Sequence, residues 1–284
     1  MKFVTFHHNN HSHAGVVQND QVISLAGIGI HSVLELITAG PEALLMVKDL
    51  AETGAPDASF PLASVKLLAP IPRPPKIICI GLNYRDHAIE SKLEIPTIPV
   101  VFSKYASSVI GPGDAIVLPK NSVKPDYEAE LAFVIGKNGR HIQAADWEQY
   151  VFGYTCLNDV SARDFQMATS QWMIGKTFDT FAPMGPYLVT ADEIADPHNL
   201  NISLTINGET LQNSNTRELI FRIPQLIEYL SSVFTLECGD VISTGTPSGV
   251  GFSYNPPRWL RAGDSVTVKV EGVGELTNPV VAEG

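Results

Sequence analysis

Pro125-Asp126-Tyr127-Glu128-Ala129-Glu130-Leu131-Ala132-Phe133-Val134-Ile135-Gly136 is the stretch on which the reading of this chain turns. The run predicts a strand. Side chains alternate across a strand, so Asp126, Glu128 and Glu130 are expected on one face. Three carboxylates on one face repel each other unless something positive sits among them. No Lys or Arg alternates into the run. A bound divalent cation answers that need, and an all-oxygen site favours magnesium, manganese or calcium over zinc. The alternative is an exposed strand edge that carries charge against aggregation.

The chain around this stretch has 284 residues, enough for one large domain or a large and a small one. Hydrophobic residues make up 44% and charged residues 17%, which allows a sizeable core and argues against disorder. The net charge of −11 repels phosphate backbones, so nucleic acid and anionic membrane are poor partners. Cys79, Cys156 and Cys238 are scattered without C-x-x-C spacing, which fits a reduced, intracellular compartment. The start, Met1-Lys2-Phe3-Val4-Thr5-Phe6-His7-His8, turns polar too soon for a signal peptide, and no stretch approaches the ~20 apolar residues of a membrane span. The expectation is a soluble, cytoplasmic protein.

Residues 1–70 read as a small leading α/β domain. Phe3 to Phe6 and Gly15 to Leu25 predict short strands around a polar turn that holds His7, His8, His11 and His13. Val33 to Leu50 has helical spacing, interrupted at Gly40-Pro41. Four prolines between Ala69 and Lys76 predict a stiff, extended connector and a domain boundary. Residues 71–284 are β-rich. Gly113-Asp114, Gly239-Asp240 and Gly263-Asp264 each predict a turn feeding a strand. Pro224 to Phe234 predicts a helix with a core-facing stripe of Leu226, Ile227, Leu230, Val233 and Phe234. Asp146 to Val151 and Asp164 to Trp172 are shorter helix candidates.

Four further clusters carry chemistry. In Asn158-Asp159-Val160-Ser161-Ala162-Arg163-Asp164-Phe165-Gln166, Asp159 offers a third carboxylate to the cation, and a helix starting here would present Arg163 and Gln166 beside it. Otherwise Asp159 caps that helix and Arg163–Asp164 is an ordinary ion pair. In Gly81-Leu82-Asn83-Tyr84-Arg85-Asp86-His87-Ala88-Ile89-Glu90, His87 and Glu90 are helical neighbours. A glutamate there orients the ring for water activation, unless the pair is solvated surface. Gly175-Lys176-Thr177-Phe178-Asp179-Thr180-Phe181 places a lysine at a pocket or on the surface. Gly245-Thr246-Pro247-Ser248-Gly249-Val250-Gly251 lets backbone N–H groups approach an anionic ligand, or is a plain loop between strands.

In this order the five clusters resemble the fumarylacetoacetate hydrolase family, over residues 70–284. The resemblance implies an α+β, β-rich fold, a mixed β-sandwich roll with a small N-terminal α/β domain, commonly assembled as a homodimer. It implies Glu128, Glu130 and Asp159 as ligands of magnesium or manganese, and His87, Glu90 and Lys176 as catalytic residues, the first two on a lid. It implies Arg163, Gln166, Gly245 and Thr246 as substrate-binding positions. The expected reaction is hydrolysis of the C3–C4 bond of a 2,4-dioxo acid of acylpyruvate or fumarylpyruvate type, giving pyruvate and a carboxylic acid. Oxaloacetate decarboxylation or keto–enol tautomerisation at the same metal site is the alternative.

Overall fold

The computed structural model describes residues 1–9 and 11–284. Strands come first: β1 (Lys2–His8), β2 (His11–Gln18) and β3 (Gln21–Ser24), followed by helices α1 (Val33–Ala39) and α2 (Pro41–Thr53). Then come β4 (Ser59–Pro61), β5 (Lys66–Leu68), β6 (Ile77–Gly81), α3 (Arg85–Glu90), β7 (Val100–Lys104), β8 (Val109–Ile110) and β9 (Ile116–Leu118). The acidic stretch forms β10 (Pro125–Asp126) and β11 (Ala129–Ile135), with β12 (Val151–Asn158), β13 (Ser161–Ala162), α4 (Arg163–Gln166) and α5 (Met173–Lys176) after it. The chain closes with β14 (Ala182–Thr190), β15 (Asn201–Ile206), β16 (Glu209–Asn215), α6 (Ile223–Val233), β17 (Val241–Ser243), β18 (Ser265–Val270) and β19 (Gly274–Ala282). No helix among the described residues is long and apolar enough to cross a membrane.

A twelve-stranded mixed sheet runs β4-β3-β2-β1-β14-β12-β11-β17-β6-β7, with β5 beside β1 and β8 beside β14. A five-stranded sheet, β16-β15-β18-β19-β9, packs against its central part. The alternation along β11 shows why it is central. Leu131, Phe133 and Ile135 face the smaller sheet and α6, together with Leu204, Val268 and Leu226. Ala132 and Val134 face the other way, into a cluster that holds Phe3, Leu25, Leu36, Ile37 and Val47 from the first fifty residues. Both faces are therefore dry, and each fully buried Leu or Ile contributes about 1.5–3 kcal/mol. The leading segment shares this core and also the sheet, since Lys2 and Phe3 pair with Val189 and Leu188 of β14.

Several expectations change in detail. The stretch from Pro125 is not one strand. It breaks at Tyr127-Glu128: Pro125-Asp126 leaves the large sheet to pair with Ser161-Ala162, while Ala129 onward pairs with β12. The histidines lie in paired strands rather than a polar turn, with His8 opposite His11 and Phe6 opposite His13. Buried Phe6, and Phe60 stacked 4.1 Å from His8, hold the hairpin to its end. The interruption at Gly40-Pro41 separates α1 from α2 as expected, and the helix at 224 forms as α6. Val233 leaves its stripe and is 60% exposed, at the last turn where the helix runs off the core. The candidate at 146 becomes a 3-10 stretch of equal length two residues earlier, Ala144–Gln149, and the candidate at 164 shortens to the four-residue α4. All three Gly-Asp turns feed strands, and each glycine has a positive φ, at 76°, 86° and 92°.

Candidate active site

The carboxylates meet where two neighbouring strands end. Glu130 is on β11, Glu128 lies in the break before it, and Asp159 follows β12, the antiparallel partner of β11. Ala129 pairs with Asn158, and Asp159 N–H donates to the Glu128 carbonyl at 3.0 Å, which fixes the register. One oxygen from each of Glu128, Glu130 and Asp159 lies within 4.8 Å of the others, and all three residues are buried. Asp126 has a separate task. Its Oδ1 accepts from the N–H of Gly251 at 2.6 Å, and its Oδ2 accepts from Phe252 N–H at 3.1 Å and Arg163 Nε at 2.8 Å.

Positive charge reaches the site from other elements, which the alternation within the stretch could not reveal. Lys176 Nζ bridges Glu128 Oε2 at 2.7 Å and Asp159 Oδ2 at 2.8 Å. Arg163 Nη2 lies 2.7 Å from Glu128 Oε1. Lys104, on β7, donates to Asp159 Oδ1 and to the Val160 carbonyl, and its side chain is fully buried. Burial alone pushes the Lys176 ammonium down, and the charges of Asp159 and Glu128 reverse this and hold its pKa above the usual lysine value. Burial lifts the Glu128 carboxyl, but Lys176 and Arg163 outweigh it and hold the group below the ordinary range.

Glu130 is the exception. Its donors are neutral, the Ser243 hydroxyl and the Gly245 N–H at 2.9 Å. Burial, then the charges of Asp159 and Glu128, push its carboxyl well above the ordinary range. Four buried carboxyl groups (Asp126, Glu128, Glu130, Asp159) thus face three cations (Lys104, Arg163, Lys176), and Glu130 is the one without a cationic partner. A hard divalent cation held by Glu128, Glu130 and Asp159 supplies what is missing, and the all-oxygen donor set suits magnesium or manganese.

The helix α3 covers this cluster. His87 is buried, with Nδ1 3.3 Å from Glu90 Oε2, while Glu90 Oε1 accepts from Gly249 N–H at 2.9 Å. Burial raises the Glu90 carboxyl, and the bonds from His87 and Gly249 N–H more than offset that and lower it. An ionised Glu90 accepts a hydrogen bond from Nδ1–H and leaves the Nε2 lone pair as the basic position of the ring. The glycine-rich loop is wound into the same network. Gly245, Gly249 and Gly251 give their N–H groups to Glu130, Glu90 and Asp126. The expectation that these groups would approach a ligand is therefore answered by the protein's own carboxylates. Gly245 has φ +98°, and a Cβ there would sit 2.9 Å from Asn83 Cβ and from the Ile80 carbonyl, so only glycine fits.

His87, Glu128, Glu130, Arg163, Gln166, Lys176 and Thr246 line one cavity of about 70 Å³. Asp159, Glu90 and Gly245 sit behind its wall. Gln166 belongs to the lining in a defined sense: its Oε1 accepts from Arg163 Nη1 at 2.8 Å, which leaves its amide N–H₂ for the cavity. A larger groove, about 820 Å³, runs outside along β7 and shares only Phe102 and Trp172 with the cavity wall.

Residues 76–281 match the family model described as fumarylacetoacetate (FAA) hydrolase C-terminal. The chain belongs to the fumarylacetoacetate hydrolase family. Residues 1–70 match a second model, described as Rv2993c-like, N-terminal. A mitochondrial oxaloacetate tautomerase of Rattus norvegicus is 51% identical over 223 residues, covering 78% of this chain and 71% of that protein. Among solved structures, a 5-carboxymethyl-2-hydroxymuconate delta-isomerase from Mycobacterium smegmatis superposes with a TM-score of 0.82 at 36% identity, with both chains fully covered. A maleylpyruvate hydrolase from Sphingobium sp. SYK-6, in complex with manganese(II) and pyruvate, superposes with a TM-score of 0.83 at 32% identity, again over both full chains. The expectations of family and fold stand, and the chain is an enzyme of this family with an acidic triad suited to a divalent metal.

The helix expected to begin at Asp159 starts four residues later, at Arg163, with β13 between, so the alternative in which Asp159 caps it is set aside. Arg163 turns to Asp126 and Glu128, while Asp164 accepts from Ser122 Oγ and Val123 N–H. Sequence reasoning missed Lys104 and Ser243. Each sits alone in a short apolar strand, where a lysine reads as solvent-facing and a serine as neutral, and only the pairing of β7, β6 and β17 brings them to the carboxylates.

Proposed function

We propose that this chain is a divalent-metal-dependent enzyme of small 2-oxo diacids that interconverts the keto and enol forms of oxaloacetate. Hydrolysis of acylpyruvate-type 2,4-dioxo acids is the second reading. This reverses the order expected from sequence. The observation that carries it is the cavity: about 70 Å³, with Arg163, Lys176, Gln166 and Thr246 offering donors and His87 the base in its wall that is not a proposed metal ligand. Ligand pockets for drug-sized molecules run to about 300–1,000 Å³, so this space suits a short diacid better than a long acyl chain. The similarity to oxaloacetate tautomerases supports the same order.

Glu128, Glu130 and Asp159 would hold the metal, which when bound polarises the 2-oxo group and templates the substrate. Arg163, Gln166 and Thr246 hold the carboxylates. His87 Nε2 takes a proton from C3, and the imidazolium is stabilised by Glu90 through Nδ1–H. Lys176, already placed between two carboxylates, stabilises charge as it develops on the 2-oxo oxygen. Return of the proton from His87 to that oxygen gives the enol. In the second reading His87 takes the proton of a water instead. The hydroxide adds to C4, the C3–C4 bond breaks, and C3 of the pyruvate enolate is protonated. The maleylpyruvate hydrolase that superposes on this chain supports keeping that route.

Two copies pair across β7 in this reading. β7 ends the large sheet, and Val101, Tyr105 and Ile174 beside it are 40%, 54% and 57% exposed. A monomer mass by light scattering at micromolar concentration removes the pairing.

The deciding experiment follows enol absorbance of oxaloacetate and pyruvate release from a panel of acylpyruvates and maleylpyruvate, with magnesium, with manganese and with chelator. Metal-dependent equilibration of oxaloacetate faster than any cleavage is expected. Cleavage of an acylpyruvate with oxaloacetate equilibrating only at the buffer rate sinks the tautomerase reading and leaves the hydrolase.

A further inference from the structure

We propose that Gln212, outside every motif above, is a positioning residue that turns the Thr246 hydroxyl into a hydrogen-bond donor for a substrate carboxylate. The inference rests on the reading of the cavity as a 2-oxo acid site. Gln212 lies on β16 and is fully buried. Its amide is oriented from two sides. Ala129 N–H can only donate, and it donates to Gln212 Oε1 at 2.8 Å. The Pro247 carbonyl can only accept, and it accepts from Nε2 at 2.9 Å. The atom that meets Thr246 Oγ1 at 2.9 Å is therefore Nε2, and the hydroxyl must accept from it.

A hydroxyl has one proton and two lone pairs. With a lone pair committed to Gln212, the Thr246 proton has no acceptor among the described residues, while Thr246 is part of the cavity wall. Gln166 is turned by the same logic, its oxygen held by Arg163 and its N–H₂ left free. Arg163 and Gln212 thus each turn an ambivalent group, the Gln166 amide and the Thr246 hydroxyl, into a donor. A chelating 2-oxo acid offers only acceptors at its carboxylates, so the arrangement matches it and disfavours a neutral amide, whose N–H₂ would face a donor. Gln212 also holds Ala129 between two of the proposed ligands, so an ordinary anchoring role must be separated from the positioning one.

The test uses the full chain with manganese and reads oxalate affinity by calorimetry. Gln212→Glu keeps the acceptor for Ala129 but offers Thr246 an acceptor, so the hydroxyl proton turns away from the cavity. Thr246→Val removes the donor. Each is expected to weaken oxalate about tenfold, the scale of a hydrogen bond to a charged group. The double variant is expected to bind no more weakly than the worse single one. If Gln212→Glu fails to fold, Gln212→Met takes its place: oxalate weakens less than with Thr246→Val, and Gln212→Met costs nothing further in the Thr246→Val background. Additive losses, with manganese affinity falling in step, make Gln212 a backbone anchor and overturn the proposal. An effect of Thr246→Val with none at Gln212 overturns the proposal alone. Unchanged binding in Thr246→Val, or no oxalate binding by the parent, overturns it together with the placement of substrate. Coupled losses in a protein that leaves oxaloacetate untouched keep the proposal and remove only the tautomerase reading.

Discussion

Lys104→Met is expected to destabilise the metal-free protein and to tighten its grip on a divalent cation. Lys104 is fully buried and donates to Asp159 Oδ1 and to the Val160 carbonyl. Removing one partner of a buried ion pair costs about 3–5 kcal/mol, because the other charge stays buried. The lower end, about 3 kcal/mol, applies here, since Lys176 still holds Asp159 Oδ2. At about 2–4 °C per kcal/mol for a chain of this size, Tm in chelator should fall by about 6–12 °C. The same substitution leaves four buried carboxylates against two cations, Arg163 and Lys176. A divalent ion then neutralises more repulsion than in the parent, so manganese should bind more tightly and raise Tm by more. Ligand at a hundredfold excess over Kd stabilises by about 2.7 kcal/mol, which would return most of the loss. Thermal unfolding in chelator and in manganese, with calorimetry for Kd, measures both arms. A parental Tm in chelator, or manganese held no more tightly than by the parent, refutes the charge argument.

Other outcomes follow from the same geometry. Glu130→Gln keeps an acceptor for Ser243 and Gly245 but removes the one carboxyl without a cationic partner, so Tm in chelator should match or exceed the parent while manganese binding is lost; retained manganese affinity by calorimetry counts against the triad. Lys176→Met should lower kcat by a larger factor than it raises KM, because enolate charge exists only late in the reaction, and a raised KM at parental kcat would make Lys176 a ground-state carboxylate binder. His87→Ala should lower turnover by about 10² with manganese affinity unchanged, and weakened manganese binding would show His87 to be a ligand.

What the sequence could show depended on how local the signal is. Gly113, Gly239 and Gly263 mark their turns because a positive φ and a following aspartate are properties of two adjacent residues. The α1–α2 break and the α6 stripe are legible for the same reason, each lying within one helix. The carboxylates were legible as a group, but the break at Tyr127-Glu128 was not. It exists because Asp126 is drawn to Arg163 and the 251–252 backbone, over a hundred residues away in one case. Lys104 was invisible for a related reason: nothing in Val100-Val101-Phe102-Ser103-Lys104 says that β7 ends beside Asp159. Charge compensation in this site is a property of strand order, and strand order here is set by pairings such as β17 with β6, which join distant parts of the chain.

The shared core of the leading segment has a consequence during synthesis. Phe3, Leu25, Leu36, Ile37 and Val47 pack against Leu157, Leu188 and Val241, all made much later. At about 5–20 residues per second, the ribosome needs on the order of ten to thirty seconds between completing the first seventy residues and releasing Val241. Throughout that interval the nascent β1–β2–β3 hairpins have only α1 and α2 against their apolar face, and the part that Leu157, Leu188 and Val241 will cover stays open. This segment leaves the exit tunnel well before it is fully buried, which makes it the natural place for a holding chaperone to bind and the part of the molecule where a folding mutation would be felt as lost yield rather than lost turnover.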